Sequence, residues 1–576
     1  MTLIAGIDIG NATTEIVIAD GARHPAQPIA WDRAPTRGIK GSAEASMGAA
    51  RLLARLERRL GAHCDLAVLT PQRPVTTRRI DLEPRAVDTG LLRLLATGSA
   101  TPAGLGHGVG RPVDIDESTT TASADEGTII LVARDPLGFR ATVASVLRWE
   151  GAGHSIAGLL LAGDEAHLVS SRLGSALPII DCVDAALALS CERIALEVAA
   201  PGQHVRALGD AIWLADALAV APETHGHARA VCELTRGHRS AVIGRLQSSA
   251  QVATPAVEEA SVVYGDGSRS TFGQAAARLA ELPVGSVRGY RQPPADLVLA
   301  DDLWIADLGL LGQIPGMRAG SVQARRLIVA VLEADRGAGD QFGAFTQAWP
   351  GEVAMLSTEA HAARTGALTT PGARPDALVV DLGGGTIDIV GAAEQAASAP
   401  GSGDLLTTAV ARALSISAGA AEWVKRGPAS RVDAPQIVTD ESGERRFLDV
   451  TAPQGSVGWL VAPGPSGPLP FSRGLSVAEW RTIRITVKQM VFAGNVRRIM
   501  SNTHQFADPS DLIIVGGPAG DDEILETLAG VVPSAVLGRA NVAGVLGHRW
   551  AVAYGLVLAG QARSSAMELP PSTTMH

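Results

Sequence analysis

Three glycine turns, each closing an apolar run, constrain this chain more than any other feature. They read IDIGNATTE at 7–15, VDLGGGTIDI at 380–389 and IIVGGPAGD at 513–521. In the first two, an apolar run, a Gly turn and a second apolar run predict a strand–turn–strand hairpin. Glycine lets backbone N–H groups approach phosphate oxygens and take up positive φ, and neighbouring Thr or Asn side chains add donors. Asp8 and Asp381 end the first strands of their hairpins. A carboxylate there can hold a hydrated Mg²⁺ or orient an attacking water. The third turn, Gly516–Gly517, carries no side chain to obstruct a flat base or ribose. No GxxxxGK[ST] occurs, so this is not a P-loop chain.

Around these turns the chain alternates strands and helices, the rhythm of an α/β protein. At 576 residues and 46% hydrophobic, it is long enough for several domains. Aromatics make up 3%, so the cores must be built from Ala, Val, Leu and Ile. Residues 42–60 are helical in period with a capping Ser at the start, and 360–368 and a segment from 521 also predict helices. Small residues at 551–559 predict a closely packed helix. The Gly-rich stretch 97–110 reads as an exposed loop. Beyond it, strands at 126–133, 155–161 and 177–180 alternate with a helix at 139–149. This second rhythm marks an inserted domain over 91–248, between a first part at 1–90 and a remainder at 249–576. Polar residues 248–258 return the chain to the first domain. A helical stretch is expected at 322–333 within the weakly patterned 300–350, 415–475 reads as irregular, and the last residues, from 564, as a disordered tail.

A formal charge of −10 with no basic tract argues against nucleic acid or anionic lipid as partner. The N-terminus lacks a signal-peptide pattern, and the longest uncharged run, 451–472, is broken by Pro and Gly, so no membrane span is expected and the protein is expected in the cytoplasm. Cys64, Cys182, Cys191 and Cys232 show no CxxC spacing and read as reduced, mostly buried thiols rather than zinc or cluster ligands. The histidines at 63, 107, 154, 167, 204, 225 and 227 are scattered and read as surface residues, and GLGHGVG at 104–110 lacks the strand and helix of a dinucleotide loop.

Two Asp-x-Gly hairpins about 370 residues apart, followed by an apolar-VGG turn, resemble the actin-like ATPase superfamily of actins, sugar kinases and heat-shock chaperone ATPases. A closer resemblance rests on GIDIGNATTE at 6–15, GIKG at 38–41, ATPAGLG at 100–106, IAGLLLAGDEAHLVSSRL at 156–173, LPIIDCVD at 177–184, GALTTPG at 366–372 and the DLGGGTID hairpin, in that order. Together they are similar to the large subunit of the reactivating factor for adenosylcobalamin-dependent diol and glycerol dehydratases. That resemblance implies an actin-like α/β core with an inserted swivelling domain. It also implies a chaperone-like ATPase that works with a small subunit to release damaged cobalamin from the dehydratase, in an assembly of two large and two small subunits. ATP or ADP with Mg²⁺ is then expected on Asn11, Ala12 and Thr13, on Gly383, Gly384, Gly385 and Thr386, and on Gly516, Gly517 and Arg539, with Asn541 beside it. Asp8 and Asp381 become the catalytic pair, and hydrolysis is expected to be slow because no other base is marked. The family's metal site falls on Thr101, Asp164 and Asp181, completed by a small-subunit carboxylate. Hard oxygen ligands of this kind suit Mg²⁺ or Ca²⁺. The rival reading is a small-molecule kinase of sugar type on the same fold.

Overall fold

The computed structural model describes residues 2–81, 89–97, 102–119, 127–134, 138–200, 203–235, 238–247, 260–292, 297–315, 317, 326–334, 341–392, 395–501, 506 and 509–568. Two five-stranded sheets repeat one plan. In the first, Leu3–Ile9 pairs antiparallel with Thr13–Asp20, which pairs antiparallel with Gln27–Pro35. On its other side Leu66–Leu69 and then Glu352–Met355 add in parallel. In the second, Leu378–Leu382 pairs with Thr386–Val390 and that with Ala396–Pro400, both antiparallel, while Asp511–Val515 and Val536–Arg539 add in parallel. The central strands are buried on both faces, which is why they read as unbroken Ile, Val, Leu and Ala rather than as alternation.

The helices Glu359–Ala367 and Ala551–Glu568 lie between these sheets, in one core with Ile4, Val17 and Val68 from the first and Val379, Ile513 and Val515 from the second. Small residues set the spacing. A Cβ on Gly6 would stand 1.8 Å from the Ala553 carbonyl oxygen, on Gly366 2.0 Å from that of Ala551, and on Gly555 1.9 Å from that of Ala362. The expected close packing of 551–559 is therefore backbone against backbone. The helix runs on to Glu568, so the first residues of the expected tail, 564–568, are helical; 569–576 lie outside the described residues. The outer face of the first sheet is covered by Ala43–Leu60, whose Ala45 N–H donates to the capping Ser42 Oγ at 3.2 Å and which ends at Gly61 in the left-handed region.

Residues 92–246 form a separate seven-stranded sheet, in the order Ile179–Ile180, Ile156–Leu161, Ile129–Ala133, Gly106–Asp114, Cys191–Val198, Ser240–Leu246, Leu92–Thr97. The expected loop at 97–110 is corrected here, since Gly106–Asp114 is a strand at the centre of this sheet. Two of its glycines serve close approach: a Cβ on Gly108 would lie 2.1 Å from the Ala157 carbonyl oxygen and one on Gly110 2.6 Å from that of Thr128. The expected helix at 322–333 is also corrected. Arg326–Glu333 is a strand paired antiparallel with Val298–Asp307 and with Val75–Asp81, and 322–325 lie outside the described residues, as do 248–250 and 251–259 of the polar return segment. The run RLIVAVLE is buried from Leu327 to Leu332, and a fully buried strand has no period by which to distinguish it from a helix. Nor is 415–475 irregular: it holds the helix Ala418–Val424 and a five-stranded sheet of short strands from Ser430–Ala434 to Gly467–Ser472. Among the described residues no helix is long and apolar enough to cross a membrane.

The helix crossing makes a stability prediction. Gly366→Val and Gly555→Val must drive the two helices apart, at a cost of about 1–3 kcal/mol or more. Gly419→Ala, whose added methyl meets nothing within 4 Å, should hold or raise stability as a helix substitution. Thermal unfolding of the three variants beside the parent checks this; equal melting temperatures for all would show that the crossing has slack.

Candidate active site

Because both sheets follow one plan, their hairpin turns meet across a single cleft. The turns are built alike. The Gly10 N–H donates to the Thr13 carbonyl and the Gly383 N–H to the Thr386 carbonyl, each at 3.0 Å. Thr13 Oγ1 donates to Glu15 at 3.3 Å, and Thr386 Oγ1 to Asp388 at 2.8 Å. Across the hairpins Asp8 stands opposite Glu15, and Asp381 opposite Asp388. A Cβ on Gly384 would lie 3.1 Å from the Ala12 nitrogen, so a side chain on the second turn would press on the first. Gly516, at φ +87°, passes so near Asp381 that a Cβ would stand 2.5 Å from its carboxylate. A cavity of about 720 Å³ opens between the three turns, the size of a small-molecule cofactor site.

The cavity floor is acidic. Asp8, Glu15, Glu359 and Asp381 line it, and Asp388 stands behind Asp381 on the adjacent strand. Burial first, and then the charges of Glu359 and Glu15, push the Asp8 carboxyl well above its ordinary pKa. Asp381 is pushed the same way by burial and by Asp388, and Asp388 itself is raised to about 6 by burial and Glu359. Asp8 Oδ1 is buried and has no hydrogen-bond partner. An orphaned carboxylate oxygen within a group of like charges fits a hard divalent cation, which would satisfy the oxygen and cancel the repulsion.

Cations enter from the sides. Lys40 Nζ bonds Glu359 at 2.6 Å, and Arg549 stands 3.7 Å from Glu15. On the opposite wall Lys425 Nζ reaches Glu422 at 2.7 Å, the Thr407 hydroxyl at 2.6 Å and the Gly403 carbonyl at 3.1 Å. Asp404, raised by burial, accepts from Asn11 Nδ2 at 3.3 Å, while the same amide bonds the Val75 carbonyl at 2.6 Å. Behind the third turn, Asp521 of the cavity wall bonds Lys488 at 2.6 Å; Lys488 bonds Glu523, and Glu523 and Glu441 both hold the fully buried Arg484. These cations keep Glu523 near 2 in spite of its burial.

Asp8, Asn11, Ala12, Thr13, Gly383 to Thr386, Gly516, Gly517 and Asp381 all line this one cavity. Arg539 does not: it donates to the Ala519 carbonyl and to Asp522, outside the wall, and Asn541 bonds Thr370 and Gly544. His548, Arg549, Lys425 and Arg426 occupy that side instead. Asp164 and Asp181 do come together. Parallel pairing of Ile156–Leu161 with Ile179–Ile180 sets their strand ends side by side, and ligand atoms of Asp164, Asp181 and the exposed Cys182 lie within 4.8 Å of one another. Thr101 lies outside the described residues. Sequence reasoning missed Glu15, Lys40, Glu359, Asp388 and Lys425. The first and fourth had a signal: Thr13-x-Glu15 and Thr386-x-Asp388 repeat one pattern two residues after each turn.

Comparison with known proteins gives concordant results. A family model described as the diol dehydratase reactivase ATPase-like domain matches residues 340–560, and one for the DD-reactivating factor swiveling domain matches residues 94–249. The propanediol dehydratase-reactivating factor large subunit of Salmonella typhimurium is 28% identical over 612 aligned positions, covering 97% of this chain and 98% of that one. The diol dehydratase-reactivating factor large subunit of Klebsiella michiganensis is likewise 28% identical with the same coverage. Among solved structures, the nucleotide-free diol dehydratase-reactivating factor aligns over 98% of this chain and all of its own with a TM-score of 0.56 at 24% identity. A glycerol dehydratase reactivase aligns over 97% and 100% with a TM-score of 0.55 at 25% identity. Carrying an actin-like ATPase core of two duplicated sheets together with the swivelling sheet, the chain belongs to the family of diol dehydratase reactivase large subunits.

Proposed function

We propose that this chain is the ATP-driven subunit of a reactivase that frees damaged cobalamin from an adenosylcobalamin-dependent diol or glycerol dehydratase. One observation carries the reading: two acid-bearing Gly hairpins face each other across one cavity, in a chain that also holds an acidic strand-end pair in a separate sheet. The Gly turns bind the phosphates through backbone N–H groups, and Gly516–Gly517 with Lys425 and Arg426 flank the nucleoside. Asp8, whose Oδ1 lacks a partner, would hold a Mg²⁺ ion, and that ion would supply charge neutralisation for the phosphate chain. Asp381, on the wall of the same cavity, accepts the proton of the attacking water. Hydrolysis at this site is slow.

Nucleotide state then biases the arrangement of the two sheets about the helices between them, through contacts that differ between states. In the domain scheme of 1–90, 91–248 and 249–576, the middle part carries the partner contact. There Asp164 and Asp181, with Thr101, would hold Mg²⁺ or Ca²⁺ together with a small-subunit carboxylate, in an assembly of two large and two small subunits. The protein works in the cytoplasm.

Three outcomes test this. Gly384→Val places a side chain against Ala12 where the phosphates sit, and ADP binding by calorimetry should be lost; unchanged affinity would sink the site. Asp164→Ala with Asp181→Ala should weaken association with the small subunit at least tenfold while leaving ADP affinity intact. Full complex formation by that variant, or in excess chelator, would remove the ion from the interface. With small subunit and ATP, the parent protein should restore a dehydratase blocked by cyanocobalamin when adenosylcobalamin is supplied, and Asp8→Ala and Asp381→Ala should lose hydrolysis and reactivation together. A sugar or diol phosphate formed with no cobalamin released would assign the chain to the kinases instead.

A further inference from the structure

Lys40 is 7% exposed, on a segment fixed from several sides. Gly38 and Gly41 hold positive φ, the Gly41 N–H donates to the buried Gln72 side chain at 3.0 Å, and Ser42 begins the following helix. The ammonium therefore has one place to go. It bonds Glu359 at 2.6 Å and faces Asp8 and Asp388. Glu359 begins the helix that packs between the two sheets, so this ion pair also ties the segment 36–42 to that helix.

A count of charge gives the pair its meaning. Four carboxylates, Asp8, Glu15, Glu359 and Asp381, converge on the cavity floor, and a fifth, Asp388, stands behind Asp381. Arg549 answers Glu15 from the rim, and Asp388 accepts from the Thr386 hydroxyl. Lys40 is the cation set among the remaining acids. A buried ammonium is costly unless its partners are charged, and a group of buried acids is costly unless something cancels them. Each is the other's remedy.

We propose that Lys40 is a built-in counter-cation: its ammonium keeps the carboxylate pocket assembled when no divalent ion is bound, and so positions Glu359 and Asp8 for the metal–nucleotide complex. The inference rests on the reading of this cavity as a metal–nucleotide site. It makes Lys40 a positioning residue, and it makes divalent cation and lysine partly interchangeable. Removing the lysine charge must leave a protein that asks for metal even without nucleotide.

The test uses the full-length chain, nucleotide-free, with Lys40→Met and Lys40→Arg. Without divalent ion, Lys40→Met should melt about 5–10 °C below the parent, as expected for breaking one buried ion pair. Millimolar Mg²⁺ should recover much of that fall, while the parent, measured in parallel, reports any stabilisation by ions bound elsewhere. Calorimetry should show Mg²⁺ binding to the nucleotide-free Lys40→Met protein tighter than to the parent by about tenfold or more. Lys40→Arg, keeping the charge, should gain no such extra Mg²⁺ stabilisation. Should Lys40→Met not yield soluble protein, Lys40→Met with Glu359→Gln removes one charge of each sign and should fold without metal. The proposal is overturned if Lys40→Met melts with the parent in the absence of metal, if it gains no more from Mg²⁺ than the parent gains, or if the double variant also fails to fold. A failure here would leave the nucleotide site standing, because no nucleotide is present; loss of that site would show instead as undiminished ADP affinity in Gly384→Val.

Discussion

Like charges that cannot escape each other organise this molecule. Each hairpin sets two acids opposite one another, Asp8 with Glu15 and Asp381 with Asp388, and the packing of the two sheets brings both pairs to one cleft. Burial alone would neutralise such groups by raising their pKa values, and that direction is what Asp8, Asp381 and Asp388 show. The cluster is stable as a set of charges only with cations in its midst. A site that must acquire positive charge to be at rest is suited to receive a metal carrying phosphates.

The same centre explains why the surrounding elements are arranged as they are. The strands that carry the acids are buried on both faces, so they depend on helices to cover them, and the helices that do so come from distant parts of the chain. On the far side, the route Asp521–Lys488–Glu523–Arg484–Glu441 runs from the cavity wall to the small sheet at 430–472 without an unpaired charge along it. Arg484 is fully buried and gripped by two carboxylates, which fixes the helix Val477–Lys488 against both neighbours.

What could be read from sequence follows from distance along the chain. The hairpins, the cap at Ser42 and the helix at 551–559 are local, and their residues carry the geometry in their own spacing. The strand Gly106–Asp114 was illegible because Gly108 and Gly110 are demanded by neighbouring backbone at Ala157 and Thr128, not by its own turns. The strand Arg326–Glu333, buried on both sides, offers no period at all. In the cleft, the Gly turns were legible as phosphate binders, but Lys40 and Glu359 meet across more than 300 residues and nothing near either one announces the other. Arg539 stands outside the cavity wall for a similar reason: Asp522, the first residue of the preceding helix, holds its guanidinium.

The crossing of Glu359–Ala367 with Ala551–Glu568 has a mechanical corollary. Most helix pairs are keyed by side chains, ridge into groove, and can turn only by jumping to another set of grooves. Here Gly366 and Gly555 lay bare main chain on main chain. At those two points the joint has no teeth, so a turn about them is opposed by main-chain contact rather than by interlocked rotamers. The acid cleft sits at one end of this crossing, with Glu359 on the first turn of one helix, so any turn of that helix would carry a cleft carboxylate with it.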